Sequence, residues 1–228
     1  TMFCDSRISN LYSKYLLSIF LISIISLLLI IQPDIGQTLL VVFSWVILIF
    51  TSGINIFFLL GFSIFILSFL GYLIMYIPKF DYIQGRIFSF FNREVGTHNF
   101  QSAKAIESIT SGGFFGKGIG EGILKNRVPE AHTDYIISVI SEEFGVVAII
   151  LILILFLVLI YMDSKRINFH KNEKIKLILI GCVSLILMQA TIHIGVNIRL
   201  FPTTGMTLPF VSYGGSSIVG VSILSGII

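Results

Sequence analysis

Charge is scarce in this sequence. Only 12% of its 228 residues are Asp, Glu, Lys or Arg, where a soluble domain carries about 25%, so a water-soluble globule is excluded. Cysteine is nearly absent. Cys4 and Cys182 stand far apart, in no CxxC and no Cys/His cluster, which excludes a disulfide framework and leaves both as packing residues. No second His or Cys stands at ligand spacing from His132, so no zinc site is expected. Alternating segments of about ten residues, the mark of an outer-membrane barrel, are missing. The basic residues form no stripe, which excludes a nucleic-acid partner. There is no internal repeat of the kind that builds inverted-repeat transporters. No small-residue cleavage site follows the first apolar run, so no signal peptide is read.

What is present is apolar. Hydrophobic residues make up 55% of the chain and the mean hydropathy is +0.97. They gather in runs at 15–31, 39–50, 56–77, 135–161, 175–198 and 210–228. By the length needed to cross a bilayer these make about six spans. The expected fold is therefore an all-α polytopic membrane protein, one membrane domain over 1–228 with a large polar segment, 78–134, between the third and fourth spans. The short 163–176 loop carries Lys165, Arg166, Lys171, Lys174 and Lys176, which puts it in the cytoplasm. Counting spans backward puts the N-terminus there too. Residues 32–37, 78–134 and 199–209 then face outward, so every unusual motif lies on one side.

The densest motif is Pro129-Glu-Ala-His-Thr-Asp134, which leads into the fourth run. Asp134 suits a general base at the membrane surface, taking a proton from an attacking hydroxyl. The competing reading is a helix N-cap, a duty Thr133 could take alone. His132 is placed to tune or share the proton, or is a plain surface histidine. Glu142 and Glu143 follow about two turns on, pointing about 100° apart on an unbroken helix. Either one of them bonds an Arg or the opened backbone of a broken helix, or one lines a polar cavity.

The stretch 111–122 holds glycine at nearly every other place toward its end. It lacks the Ser or Thr after Gly-Lys that a P-loop needs, and no strand precedes it. It reads as a flexible, close-packing loop. Its N–H groups, with Lys117, Lys125 and Arg127, could contact a phosphate. Residues 101–109 suit a short amphipathic surface helix. Pro202, Gly205 and Pro209 force non-helical backbone near the membrane, tolerated only where it is buried or faces a polar cavity. Ser212, Tyr213, Ser216 and their glycine neighbours suit close helix packing or substrate contact.

Taken in order, Gln32-Pro-Asp-Ile-Gly36, the glycine-rich loop to Glu121, Pro129 to Asp134 running into Glu142-Glu-Phe-Gly145, and Pro202-Thr-Thr-Gly with Leu208-Pro-Phe-Val-Ser-Tyr-Gly-Gly-Ser-Ser217 resemble the SEDS family (shape, elongation, division and sporulation) of bacterial cell-wall polymerases. The resemblance covers the chain from about Tyr15 onward, and Pro-Thr-Thr-Gly is more like its division branch than its elongation branch. Members of that family carry more spans than are read here, so the chain resembles their C-terminal portion. The resemblance implies a peptidoglycan glycosyltransferase at the outer face of the bacterial cytoplasmic membrane. Its implied substrate is lipid II, a disaccharide-pentapeptide on undecaprenyl pyrophosphate. The implied partners are a class B penicillin-binding transpeptidase and other divisome proteins.

The family's essential aspartate falls on Asp134, the catalytic candidate. Candidate substrate-binding residues are Glu130, His132 and Thr133 beside it, Lys117, Lys125 and Arg127 in and after the glycine-rich loop, and Ser212, Tyr213 and Ser216 in the last motif. Arg199 is a further candidate cation for the leaving diphosphate. No protein-bound metal or other cofactor is called for, although a divalent cation, Mg or Mn, could accompany the diphosphate. Two other classes remain: a lipid II flippase, which would need polar groups spread on both sides of the membrane, and a non-catalytic divisome scaffold, which would not need Asp134.

Overall fold

The structure is a computed structural model. It describes residues 11–53, 78–91, 97–123 and 128–228, with 61, 64, 68, 71, 72, 75 and 76. The third expected span, 56–77, lies mostly outside the described residues, as do Lys125 and Arg127. Among the described residues all regular structure is helical. The helices are α1 (Leu11–Ile31), α2 (Ile35–Thr51), α3 (Asp81–Phe91), α4 (Thr97–Gly112), α5 (Ile136–Phe169), α6 (Glu173–Asn197) and α7 (Gly215–Ile227), with a 3₁₀ turn at Pro78–Phe80 before α3. Three of them are long and apolar enough to cross a membrane: Ser13–Ile31 within α1, then α5 and α6. The helices α2 and α7 are apolar but shorter.

The chain divides into two compact units, one formed by 1–84, 163–188 and 227–228, the other by 85–162 and 189–226. In the first, α1 and α2 pack together across the turn at 32–34. That turn starts α2 cleanly, because the Asp34 carboxylate accepts the Gln37 N–H at 2.9 Å and caps the helix.

In the second unit the core is a seam between the start of α5, the end of α6 and the proline-bearing loop after it. Ile137, Ala190 and Leu208 form its centre, with Ile136, Ile149, Ile152, Phe156 and Ile194 packed around them. The first part of α5 is polar where it is buried: Ser138, Ser141 and Glu142 are all inaccessible to solvent. Beyond it, none of residues 146–162 is buried, and that charge-free stretch is about 25 Å long at 1.5 Å per residue, close to the thickness of a bilayer's hydrocarbon core.

A break at Gly145 separates these parts. Its φ of 76° and ψ of −173° lie in a region that essentially only glycine occupies. The opened backbone is filled by the glycine-rich stretch. Lys117 N–H donates to the Glu142 carbonyl at 2.9 Å and Gly118 N–H to Glu143 at 3.1 Å, while Val146 and Val147 N–H donate to Gly113 and Phe114 at 3.0 and 3.3 Å. The two segments touch backbone to backbone. A Cβ on Gly112 would stand 1.8 Å from the Ser141 carbonyl oxygen, and one on Gly116 would stand 2.1 Å from that of Glu143. The glycines are there for this contact.

Candidate active site

Asp134 lies in the turn before α5 and is partly exposed. Its position is set through the backbone. The Glu130 carbonyl accepts N–H bonds from Thr133, Asp134 and Tyr135 at 3.2, 3.0 and 3.3 Å, closing a tight turn with Glu130 itself at φ 55°. The carbonyls of the next residues are then held one by one from the other side of the unit. Tyr213 N–H donates to His132 at 3.0 Å, the Ser212 hydroxyl to Thr133 at 2.7 Å, and the Asn197 amide to Asp134 at 3.0 Å. The distant motifs of the sequence thus meet here, the second clasping the main chain of the first.

The clasp is itself held by polar side chains on one face of α6. Asn197 also donates to the His193 carbonyl at 2.9 Å. The His193 ring, wholly buried, donates from Nδ1 to the Met206 carbonyl at 2.7 Å, so Nε2 can face Asn197 as an acceptor at 3.3 Å. One turn earlier Gln189 donates to Thr207 and to the Ser217 hydroxyl, each at 2.9 Å. Ser212 receives the Leu208 N–H at 2.8 Å. Arg199 and Phe210, at φ 57° and 67°, join Glu130 in left-handed backbone, a conformation that costs of order 1–3 kcal/mol and persists only where the surroundings impose it.

The carboxylate meets Gly205, whose added Cβ would stand 3.7 Å from Asp134 Oδ2. Burial, helped by the nearby Glu130 charge, raises the Asp134 pKa from its usual 3.8 to about 6. Thr133 and Arg86 pull the other way without cancelling it. Tyr135, next along, is 2% exposed, and burial pushes its phenol upward, so it stays protonated. Beside these residues a small open cleft is lined by Arg86, Ser102, Arg199 and Thr203, among others. Arg86 is anchored there by a 2.9 Å bond to the Thr203 carbonyl.

The other expected site residues distribute unevenly. Glu130 and Thr133 are bonded to each other beside Asp134, hydroxyl to carboxylate at 3.0 Å. His132 is exposed next to it. Ser212 is buried with its hydroxyl turned to the Thr133 carbonyl. Tyr213 offers its backbone to the clasp and leaves its ring 80% exposed. Ser216 is exposed in the first turn of α7. Lys117 stands apart from this group, its ammonium 3.5 Å from Glu142. Among the described residues, no three His, Cys, Asp or Glu side chains gather to hold a metal ion. Sequence reasoning passed over Arg86, Asn197, His193 and Gln189 as site residues, and read Gly205 only as a break in the helix.

A family model described as a cell cycle protein, FtsW/RodA/SpoVE, matches residues 4–228. The chain belongs to this family. A probable peptidoglycan glycosyltransferase FtsW from Caulobacter vibrioides is 36% identical over 87% of this chain and 50% of its own length. Relatives with the same description come from Trichlorobacter lovleyi, at 34% over 94% of the chain and 56% of theirs, and from Lactococcus lactis, at 38% over 85% and 49%. The chain thus spans about half the length of the curated relatives it matches. Among solved structures, a chain from work described as structural coordination of polymerization and crosslinking by a peptidoglycan synthase complex superposes with a TM-score of 0.77. That match covers 94% of this chain and 60% of the other at 24% identity, a likeness of fold. The expectation of an all-helical, polytopic membrane protein of the SEDS family therefore stands.

Proposed function

We propose that this chain carries the catalytic part of a peptidoglycan glycosyltransferase that polymerises lipid II during division, at the outer face of the cytoplasmic membrane. The observation that carries the reading is Asp134: a partly exposed carboxylate, fixed through its main chain, with a pKa near 6. A base tuned toward neutral pH is more effective than an ordinary carboxylate yet still ionised at pH 7. Its task is to take the proton of the acceptor sugar's 4-hydroxyl as that oxygen bonds to C1 of the donor sugar. The C1–oxygen bond to the lipid diphosphate breaks at the same time, and the diphosphate leaves with the bonding pair. Its negative charge is met by cations set in place beforehand. Arg86 and Arg199 in the cleft suit this task, the former anchored by the Thr203 carbonyl. Arginine's planar fork favours phosphate oxygens. A divalent cation brought with the diphosphate would add to that charge. His132, exposed beside the base, can exchange the proton with water, and exposed Tyr213 and Ser216 can contact sugar or lipid. Lys125 and Arg127 are kept as further candidates for the diphosphate.

The names of the relatives support the reaction class, and the complex named for the structural neighbour supports a transpeptidase partner of the penicillin-binding class. Other divisome proteins would complete the assembly. The deciding experiment is polymerisation of labelled lipid II by a full-length protein containing these residues, as wild type and as Asp134→Asn. Glycan strands from the wild type and a loss of roughly 10²–10⁴-fold in the variant, with folding kept, are expected. Equal polymerisation by the variant would overturn the assignment of the base. A wild type that moves lipid II across vesicles without joining it would turn the reading to a flippase. If it does neither but recruits the transpeptidase, it is a scaffold.

A further inference from the structure

Glu142 is fully buried in the second unit, and none of the chemistry assigned to Asp134 uses it. Its Oε1 lies 3.5 Å from Lys117 Nζ, its Oε2 3.1 Å from the Ser108 hydroxyl, and Gly122 packs against its carboxyl so closely that a Cβ there would come within 2.9 Å. These partners come from α4 and the glycine-rich loop, the segment threaded into the break of α5. The same cluster runs back toward the candidate base. Ser108 lies 3.2 Å from the Ser138 carbonyl, and the Ser138 hydroxyl donates to the Tyr135 carbonyl at 2.7 Å, one residue from Asp134.

We propose that Glu142 is a positioning residue for Asp134: its ion pair with Lys117 locks the glycine-rich loop into the gap at Gly145 and so fixes the turn in which Asp134 sits. The inference rests on the reading of Asp134 as the base. The carboxylate is wholly buried while the Lys117 side chain is 39% exposed, and a buried carboxylate gains little net stability over a well-packed apolar side chain. What such a pair can supply is a tether that holds one arrangement. The glycines set the register in which the loop can approach, since a Cβ at 112 or 116 would strike the backbone of α5, and the pair holds the loop in it. The Lys117 ammonium meets the buried carboxylate only in the threading seen here. Lys117 therefore serves Glu142 in place of the diphosphate contact expected from the sequence.

The test is a set of variants in a full-length protein containing these residues: Lys117→Met, Glu142→Gln, both together, and Ser108→Ala. Each is assayed for kcat and KM with lipid II, with hydrogen exchange followed over residues 130–140. Lys117→Met leaves a buried charge without its cation and should lower kcat on the order of 10²-fold, the scale of a small displacement of a catalytic group. KM should stay within about twofold, as for loss of a group that acts only in the transition state. Adding Glu142→Gln should recover part of the rate, up to that of Glu142→Gln alone, because the neutral amide leaves no stranded charge but restores no ion pair. Exchange at 130–140 should quicken in Lys117→Met and slow again in the double variant. A raised KM, or a double variant no better than Lys117→Met, would show that Lys117 meets the substrate itself and would overturn the proposal. Wild-type kinetics and exchange in both single variants would do so as well. Should Lys117→Met not fold, Glu142→Gln and Ser108→Ala leave no stranded charge. A lowered kcat at unchanged KM then supports the proposal, and wild-type values reject it. If the wild type makes no glycan, the enzymatic reading fails by itself, and the exchange pattern alone decides whether the pair orders the turn.

Discussion

The two parts of α5 meet opposite demands. Residues 136–144 bury serine hydroxyls and a carboxylate against the glycine-rich loop, while none of 146–162 is buried and all of them are uncharged. In the second part any apolar, helix-forming side chain satisfies lipid. In the first, each buried polar atom needs one partner at one place, so identity counts residue by residue. The break at Gly145 is the border between a stretch specified by composition and a stretch specified by contacts. Substitutions on its two sides should behave accordingly.

The largest effect should come at the border. Gly145→Ala puts a side chain into backbone that only glycine tolerates, with its Cβ 2.2 Å from the Phe114 carbonyl oxygen. The strain alone is of order 1–3 kcal/mol, and the loop must also leave the gap, freeing the N–H groups of Val146 and Val147. Loss of monodisperse, folded protein in detergent is the expected result. A well-folded Gly145→Ala protein would mean that the border is no constraint.

Asp134→Asn comes next and separates activity from stability. The folded state holds this proton more tightly than an ordinary carboxyl does, about 6 against 3.8. The fold therefore loses stability through this group as pH rises from about 4 to about 6, and carries the full cost of the charge above that. The variant should thus melt higher than wild type at pH 7.5 and nearly alike at pH 4. In the wild type, kcat/KM should fall about tenfold per pH unit well below 6 as the base is protonated. A variant that melts lower at pH 7.5 would show that ionised Asp134 stabilises the turn.

The comparison also explains what could be read in advance. The runs at 15–31, 135–161 and 175–198 fall on helices long and apolar enough to cross a membrane, because run length alone reports on lipid. Helix ends were less legible. The apolar run stops near Tyr161, yet α5 continues to Phe169, because hydropathy marks the bilayer and nothing in 162–169 breaks a helix. The last run begins near Phe210, yet α7 starts only at Gly215, because the turn through Leu208, Phe210 and Ser212 intervenes. Ser212 and Tyr213 are therefore not helical. Asp134 precedes α5, so helix geometry does not set its direction relative to Glu142 and Glu143. The bonds seen at the glutamates come from the glycine-rich loop, the Lys117 ammonium at Glu142 and the Gly120 N–H at the Glu143 carboxylate at 3.3 Å, where the sequence suggested an Arg or the helix's own opened backbone. The clasp had one signal that went unused. Gln189, His193 and Asn197 recur every fourth residue inside an apolar run, which puts them on one helix face, and polar groups at that depth mark function. Arg86 had no such signal, since only the folded chain brings it to Thr203.

Smaller effects sharpen the contrast. Asn197→Ala strips the Asp134 carbonyl of its donor and should cost about 1–3 kcal/mol, with activity falling further than stability because the base loses its anchor. Ser212→Ala removes one hydroxyl from between Leu208 and Thr133, for about 1 kcal/mol. Leu151→Ala, across the border, removes more atoms than Ser212→Ala does. Leu151 is 58% exposed, so truncation opens no cavity and only exchanges one apolar surface for another. Thermal unfolding in lipid should move by less than about 0.5 kcal/mol. If Leu151→Ala destabilises as much as Ser212→Ala, that face of α5 is packed against protein, and the division at Gly145 separates two packed regions instead of a contact-specified one from a lipid-facing one.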